Sequence, residues 1–194
     1  RFQALGNPRR SRCLLREDGL TFILTTFFPG DDGFEVELAH ELSHAMCQQF
    51  IPTTSPAIDE GIAEELGSFL SGKSCWELWQ HTTSGATSAL LRKGGSADQL
   101  RSSWDVRELV EMPYEEFHRE AAWPWNIIRA RLLSSVLIHW GGPWLGLRKL
   151  SEVRDLTDRG ASITGALNQV FGMQEIEAGL IARGEEFSGV GAGR

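Results

Sequence analysis

The sequence has few cysteines, no long apolar run and fewer basic than acidic residues, and each shortage excludes a class of protein. Three cysteines in 194 residues, none in CxxC spacing, exclude a disulfide framework and a cysteine-based zinc site. The longest apolar run, residues 21–28, is interrupted by threonines and too short to cross a bilayer. Nineteen Lys and Arg residues against 26 Asp and Glu residues give a net charge of −7. We therefore expect no membrane span in this chain and no nucleic-acid partner, because nucleic-acid binding relies on neutralising phosphates.

The length and composition are those of one globular domain, with 41% hydrophobic and 23% charged residues. The chain starts at Arg1 rather than Met and shows no signal segment, which predicts an excised or processed piece and leaves its compartment open. Within the domain we predict active-site elements in residues 1–81, a mobile Ser/Thr/Gly-rich insertion at 82–104, a helical part at 105–187 and a flexible tail at 188–194.

Hydrophobic patterning predicts one strand followed by helices. Residues 20–28 are rich in β-branched and aromatic residues and are bounded by turn formers, as in a strand. Apolar residues then recur at helical spacing, which predicts helices at residues 34–50, 58–70, 114–122, 125–140, 144–153, 163–171 and 174–183. The predicted fold class is α+β: mostly helical, with a small β-sheet before a helical C-terminal part.

The most informative segment is His40-Glu41-Leu42-Ser43-His44, which matches the pattern H-E-x-x-H. Histidines at i and i+4 of a helix project from one face, about 5–6 Å apart at Cβ, so both imidazoles can reach one zinc ion. Glu41 lies beside them, where its carboxylate can take a proton from a water held by the metal. The alternative interpretation is a solvated helix with an incidental histidine pair.

A catalytic zinc site of this kind needs a third protein ligand and an open position for water. Fifteen residues separate His44 from Glu60, enough for a reversal that brings the next helix back against the histidines. Glu60 is the predicted third ligand. Glu64, one turn further along, is a candidate to contact the outer nitrogen of a ligand histidine. Two alternatives stay open: Glu64 as the ligand instead, or both glutamates stabilising the helix N-terminus through its dipole. Asp59 and Glu65 are expected to face solvent.

His40 to His44 followed by Asp59-Glu60-Gly61-Ile62-Ala63-Glu64 resembles the gluzincin metallopeptidases, in which HExxH precedes a (W/L)xEGxAE segment. The resemblance is strong over residues 20–67 and weaker over 114–183. It implies a zincin-like catalytic domain in which one Zn²⁺ is bound by His40, His44 and Glu60, Glu41 is the general base, and the substrate is a peptide or protein.

The sequence departs from gluzincins in the group that supports the oxyanion, commonly a downstream Tyr or His. The one tyrosine, Tyr114, has no clear match. His118, His139, Arg129 and Arg131 remain candidates, although lone histidines are seldom functional, and we expect His139 in the core and His118 at the surface.

The sequence thus predicts a zinc metallopeptidase. Two alternatives remain: a weak or inactive metallopeptidase-like module that binds without catalysis, and a helical domain without a metal.

Overall fold

The computed structural model describes residues 12–15, 21–24, 34–47, 55–72, 105–119 and 123–188. Two extended segments, β1 (Arg12–Leu15) and β2 (Thr21–Leu24), come first. The helices that follow in the described part of the chain are α1 (Phe34–Cys47), α2 (Pro56–Ser71), α3 (Val106–Glu111), α4 (Tyr114–Phe117), α5 (Trp123–Ile138), α6 (Pro143–Asp158), α7 (Ile163–Phe171) and α8 (Met173–Ser188).

The predicted α+β fold class with a small β-sheet is wrong, because the fold found is helical. From residue 34 onward the described residues are 85% helical and contain no strand. β1 and β2 pair antiparallel, with Arg12 opposite Leu24 and Leu15 opposite Thr21, but this is a four-residue ladder. Two short strands alone are marginally stable in water and do not build a sheet layer. β2, which lies within the strand predicted at residues 20–28, is therefore part of a two-stranded ladder, whereas the core is built between helices.

Most predicted helices are found, with ends shifted by a few residues. α7 has the predicted bounds, while α4 stops at Phe117 instead of residue 122. The pattern did not predict α3, which begins where Asp105 caps it by accepting hydrogen bonds from the backbone N–H groups of Arg107 and Glu108. The predicted insertion at 82–104 and the chain after Ser188 lie outside the described residues. The proposed division of the chain stays a prediction.

α2 is the central element of the part that carries the motif, since α1 packs on one side of it and α5 on the other. A glycine stands at each crossing. A Cβ on Gly61 would lie 2.1 Å from the carbonyl oxygen of Ala130 in α5, and one on Gly67 would lie 3.0 Å from Cα of His40 in α1. The missing side chains let both neighbours approach α2 at backbone distance, and this brings the start of α2 beside the two histidines.

The ends of α2 are well defined by their own residues. Ser55 is extended, accepts a hydrogen bond from the backbone N–H of Ile58 and is followed by Pro56 at the first helical position. Gly72 ends the helix in the left-handed conformation, with φ of 65°. These signals place Asp59 in the first turn and Glu60 directly after it.

The remaining helices form an apolar core behind α2. α5 also packs against α6 and α8, and α7 packs against α6. Leu133, Leu137, Leu150, Leu167, Ile176 and Leu180 are fully buried there. None of the described helices is both long enough and apolar enough to span a bilayer.

Candidate metal centre

α1 places the two histidines of the motif on the face that it turns toward α2. Most buried residues of the helix follow one face, namely Val36, Ala39, Ser43, His44 and Cys47, and His40 lies beside them. Glu41 is also buried. The Nε2 atoms of His40 and His44 are 3.1 Å apart, and the rings meet edge to face with centroids 4.7 Å apart. Both rings therefore direct Nε2 toward one point.

Glu60, which directly follows the first turn of α2, supplies a carboxylate at the same point. Its Oε2 lies 3.5 Å from Nε2 of His40 and 3.8 Å from Nε2 of His44. His40, His44 and Glu60 each offer one ligand atom, all within 4.8 Å of one another, and the group could hold a metal ion. Ligands bonded at about 2.0–2.1 Å in a tetrahedral arrangement stand about 3.3–3.4 Å apart. The distances found here lie close to that separation.

Two further carboxylates lie close to the Nδ1 atoms of the two histidines. Oε1 of Glu64 is 3.3 Å from Nδ1 of His40, and Oδ1 of Asp59 is 3.2 Å from Nδ1 of His44. A carboxylate that accepts a hydrogen bond from the outer nitrogen keeps that nitrogen protonated and leaves Nε2 free as a ligand. Nδ1 of His40 lies at ion-pair distance from Glu64 but without hydrogen-bond geometry. Glu64 thus lies where the sequence predicted an outer contact. The expectation that Asp59 faces solvent is wrong, because its carboxylate is turned toward His44.

The acidic neighbours determine the charge of the metal-free cluster. Burial alone would lower the pKa of His40, but Glu60 and Glu64 outweigh it and raise this pKa well above its usual value. The pKa of His44 is also raised, because Asp59 and Glu60 outweigh the effect of burial. Hydrogen bonds from His118 and His40 overcome burial at Glu60 and hold its pKa far below the usual value. Without a metal, the raised pKa values favour protonated histidines, whose positive charge offsets the negative charge of these carboxylates.

Glu41 follows His40 on α1 and is 4% exposed. Burial raises the pKa of its carboxyl group to about 6, with His40 and His44 acting in the opposite direction. A carboxylate with a pKa in this range is a better proton acceptor near neutral pH than an exposed glutamate, because proton transfer is most effective when the pKa is close to the working pH.

His118 also belongs to this site, contrary to the expectation of a surface histidine. Its Nε2 is 3.1 Å from Oε1 of Glu60, and its side chain is 13% exposed. The contact joins residues 58 positions apart, so no local pattern could have revealed it. Tyr114, the lone tyrosine, stacks on this ring with centroids 4.0 Å apart.

The other candidate oxyanion groups have different partners. Glu65 was expected to face solvent, but it bonds Arg131 through one oxygen and His139 through the other, at 3.4 and 3.2 Å. The side chain of His139 is 43% exposed, so the expected core position is wrong. Arg129 is buried and donates to the backbone carbonyl of Asp105.

None of the protein families, curated proteins or solved structures compared with this chain matches it. The resemblance to gluzincins therefore depends on the motif residues and their spacing.

Proposed function

We propose that this protein is a zinc-dependent metallopeptidase, with His40, His44 and Glu60 as the zinc ligands. The observation that carries the proposal is the convergence of these three ligand atoms within 4.8 Å, two of them from an HExxH motif. The carboxylates of Glu64 and Asp59 behind the two rings support it, since ligand histidines commonly have such partners. Two imidazoles and one carboxylate form a donor set that suits zinc and leaves one position open.

Zinc held by His40, His44 and Glu60 would supply Lewis-acid chemistry, lowering the pKa of a water molecule to about 7 and polarising a carbonyl group. Glu41 would take a proton from the attacking water and pass it to the leaving amine. Its burial suits this work, because a carboxyl group with a pKa of about 6 can both accept and release a proton near neutral pH. The peptide bond as substrate follows from the resemblance of the motif to gluzincins.

Metal analysis of the purified protein tests the first half of the proposal. We expect about one zinc per chain in the wild type and its loss in H40A, H44A and E60A. H139A is a matched histidine control that should keep the metal, because His139 contacts Glu65 outside the cluster. A wild type that retains no metal after dialysis against zinc would contradict the proposal.

A peptide-library assay of the wild type and E41Q tests the second half. We expect E41Q to keep its zinc and lose about 10²–10⁴-fold in kcat, the contribution typical of general acid–base catalysis. The exposed Glu115 offers a matched control, E115Q, which should keep full activity. If zinc is bound but wild type and E41Q behave alike in every assay, the protein is a binding module and the enzyme assignment fails.

A further inference from the structure

His118 makes a contact at the metal centre that the HExxH pattern does not include. Glu60 has two carboxylate oxygens, and they face different partners. Oε2 faces the Nε2 atoms of the histidine pair, whereas Oε1 lies 3.1 Å from Nε2 of His118. A carboxylate only accepts hydrogen bonds, so the N–H of His118 donates to Oε1.

The geometry of this contact limits how Glu60 can bind a metal. A glutamate side chain ordinarily rotates about its terminal bond and can offer either oxygen or both. With Oε1 engaged by His118, Oε2 is left toward His40 and His44. The hydrogen bond therefore selects one oxygen for the ligand position and restricts the carboxylate to one orientation.

The ring of His118 is itself held in place by neighbouring groups. Its Nδ1 lies 2.9 Å from the carbonyl oxygen of Tyr114, whose ring stacks on it. The ring of Phe117, which is fully buried, meets it at an angle of 64°. The buried amide of Asn126 in α5 donates to the carbonyl of Phe117 at 3.0 Å. This hydrogen bond connects the end of α4 to α5, which packs against α2.

From these contacts we propose that His118 is a positioning residue, which holds the Glu60 carboxylate so that one oxygen faces the metal site. The inference rests on the proposed zinc centre and deepens it. His118 acts through Glu60, and removing its donor should lower metal affinity without removing a ligand. Loss of such outer partners commonly costs about 10–100-fold in affinity.

The test compares H118L with H118Q, using the full chain. Leucine keeps an apolar contact for the rings of Tyr114 and Phe117 but has no donor, whereas glutamine carries an amide N–H. Zinc affinity is measured by competition with a chelator at one pH, and the visible absorption of the Co²⁺-substituted protein reports the ligand geometry. We expect H118L to bind zinc 10–100-fold more weakly with an altered cobalt spectrum. H118Q should recover most of the affinity and the wild-type spectrum, and H139A should match the wild type.

Circular dichroism of the metal-free variants shows whether each one is folded, and H118A takes the place of H118L if leucine prevents folding. Wild-type affinity and an unchanged cobalt spectrum in a folded variant without the donor would overturn the positioning role. Complete loss of zinc in both H118L and H118Q, as in E60A, would overturn it too, because His118 would then be a ligand. In either case the wild type still binds zinc, so the proposed function stands. A wild type that binds neither zinc nor Co²⁺ would instead overturn both.

Discussion

The helix pair α1–α2 and the helices α6–α8 use their buried surface in opposite ways. The pair and its cap residue Ser55 bury Glu41, Ser43, His44 and Glu64 among apolar residues, whereas the buried residues described in α6–α8 are Gly146 and hydrophobic residues. Burying polar and charged groups costs free energy unless each has a partner, while burying leucine and isoleucine stabilises the fold. We infer that the candidate metal centre lowers the free energy of unfolding and that the C-terminal helices supply stability.

We expect the largest change in the free energy of unfolding for a substitution in the helices α6–α8. Leu167 in α7 is fully buried, and L167A should lower the free energy of unfolding by about 2–5 kcal/mol because it leaves a cavity. Zinc stoichiometry of the folded variant should not change. Chemical denaturation together with metal analysis measures both quantities. A variant that is as stable as the wild type would mean that the C-terminal helices do not supply the stability.

The next effect concerns the contact between α2 and α5, the helix that packs against both regions. In G61A the new Cβ would stand 2.1 Å from the carbonyl oxygen of Ala130, so α2 and α5 must separate. Overpacking of this kind costs about 1–3 kcal/mol or more, and here it should also weaken zinc binding because Glu60 moves with α2. G165A is the control, since its Cβ would meet just the Ser162 hydroxyl at 3.0 Å. Equal stabilities of the two variants, by thermal or chemical denaturation, would contradict the close-approach argument.

In the helix pair α1–α2, replacing the buried Glu41 by a neutral residue should stabilise the metal-free protein. Burial raises the pKa of Glu41 from 4.5 to about 6. This shift corresponds to a decrease of about 2 kcal/mol in the free energy of unfolding above about pH 6. E41Q replaces the charge by a neutral isostere and should raise the free energy of unfolding at pH 7 by up to that amount. Denaturation of metal-free wild type, E41Q and E115Q gives the comparison. A destabilised E41Q would show that the buried carboxylate is well satisfied.

The smallest effect concerns how the free energy of unfolding depends on pH. We expect this dependence to change sign when zinc is bound. The raised pKa values of His40 and His44 stabilise the metal-free fold below about pH 6.5, and this contribution is lost as pH rises through the raised values. The lowered pKa of Glu60 stabilises it above about pH 4.5, and that contribution is lost as pH falls. The metal-free protein should therefore lose stability as the pH rises above about 6.5. With saturating zinc the trend should reverse, because protons compete with zinc for the ligands. Denaturation curves at each pH, with zinc or with chelator, check the sign.

Much of the candidate site could be predicted from the sequence, because its geometry follows from helix periodicity. The spacing of His40 and His44 places both on one face, and Ser55 and Pro56 place Glu60 near the start of the returning helix. Glu64 falls one turn further on the same helix, and it lies at Nδ1 of His40. Their roles as zinc ligands and outer partner stay predictions.

Other parts could not be predicted, since they depend on side chains that meet across the fold. Asp59 precedes Glu60 on α2, and only the crossing of α1 and α2 shows that it reaches His44. In α1, Leu42 and Met46 helped to predict the helix but are 41% and 60% exposed. The apolar pattern thus identified the helix without identifying its buried face.

The helical spacing of the motif, the ends of α2 and the donor types available to a metal follow from neighbouring residues along one chain segment. Tertiary packing is the reason that the fold is helical rather than α+β, that α2 lies between α1 and α5, and that His118 reaches Glu60. Packing brings together residues 58 positions apart, and that choice depends on how whole helix faces bury one another, not on any short pattern.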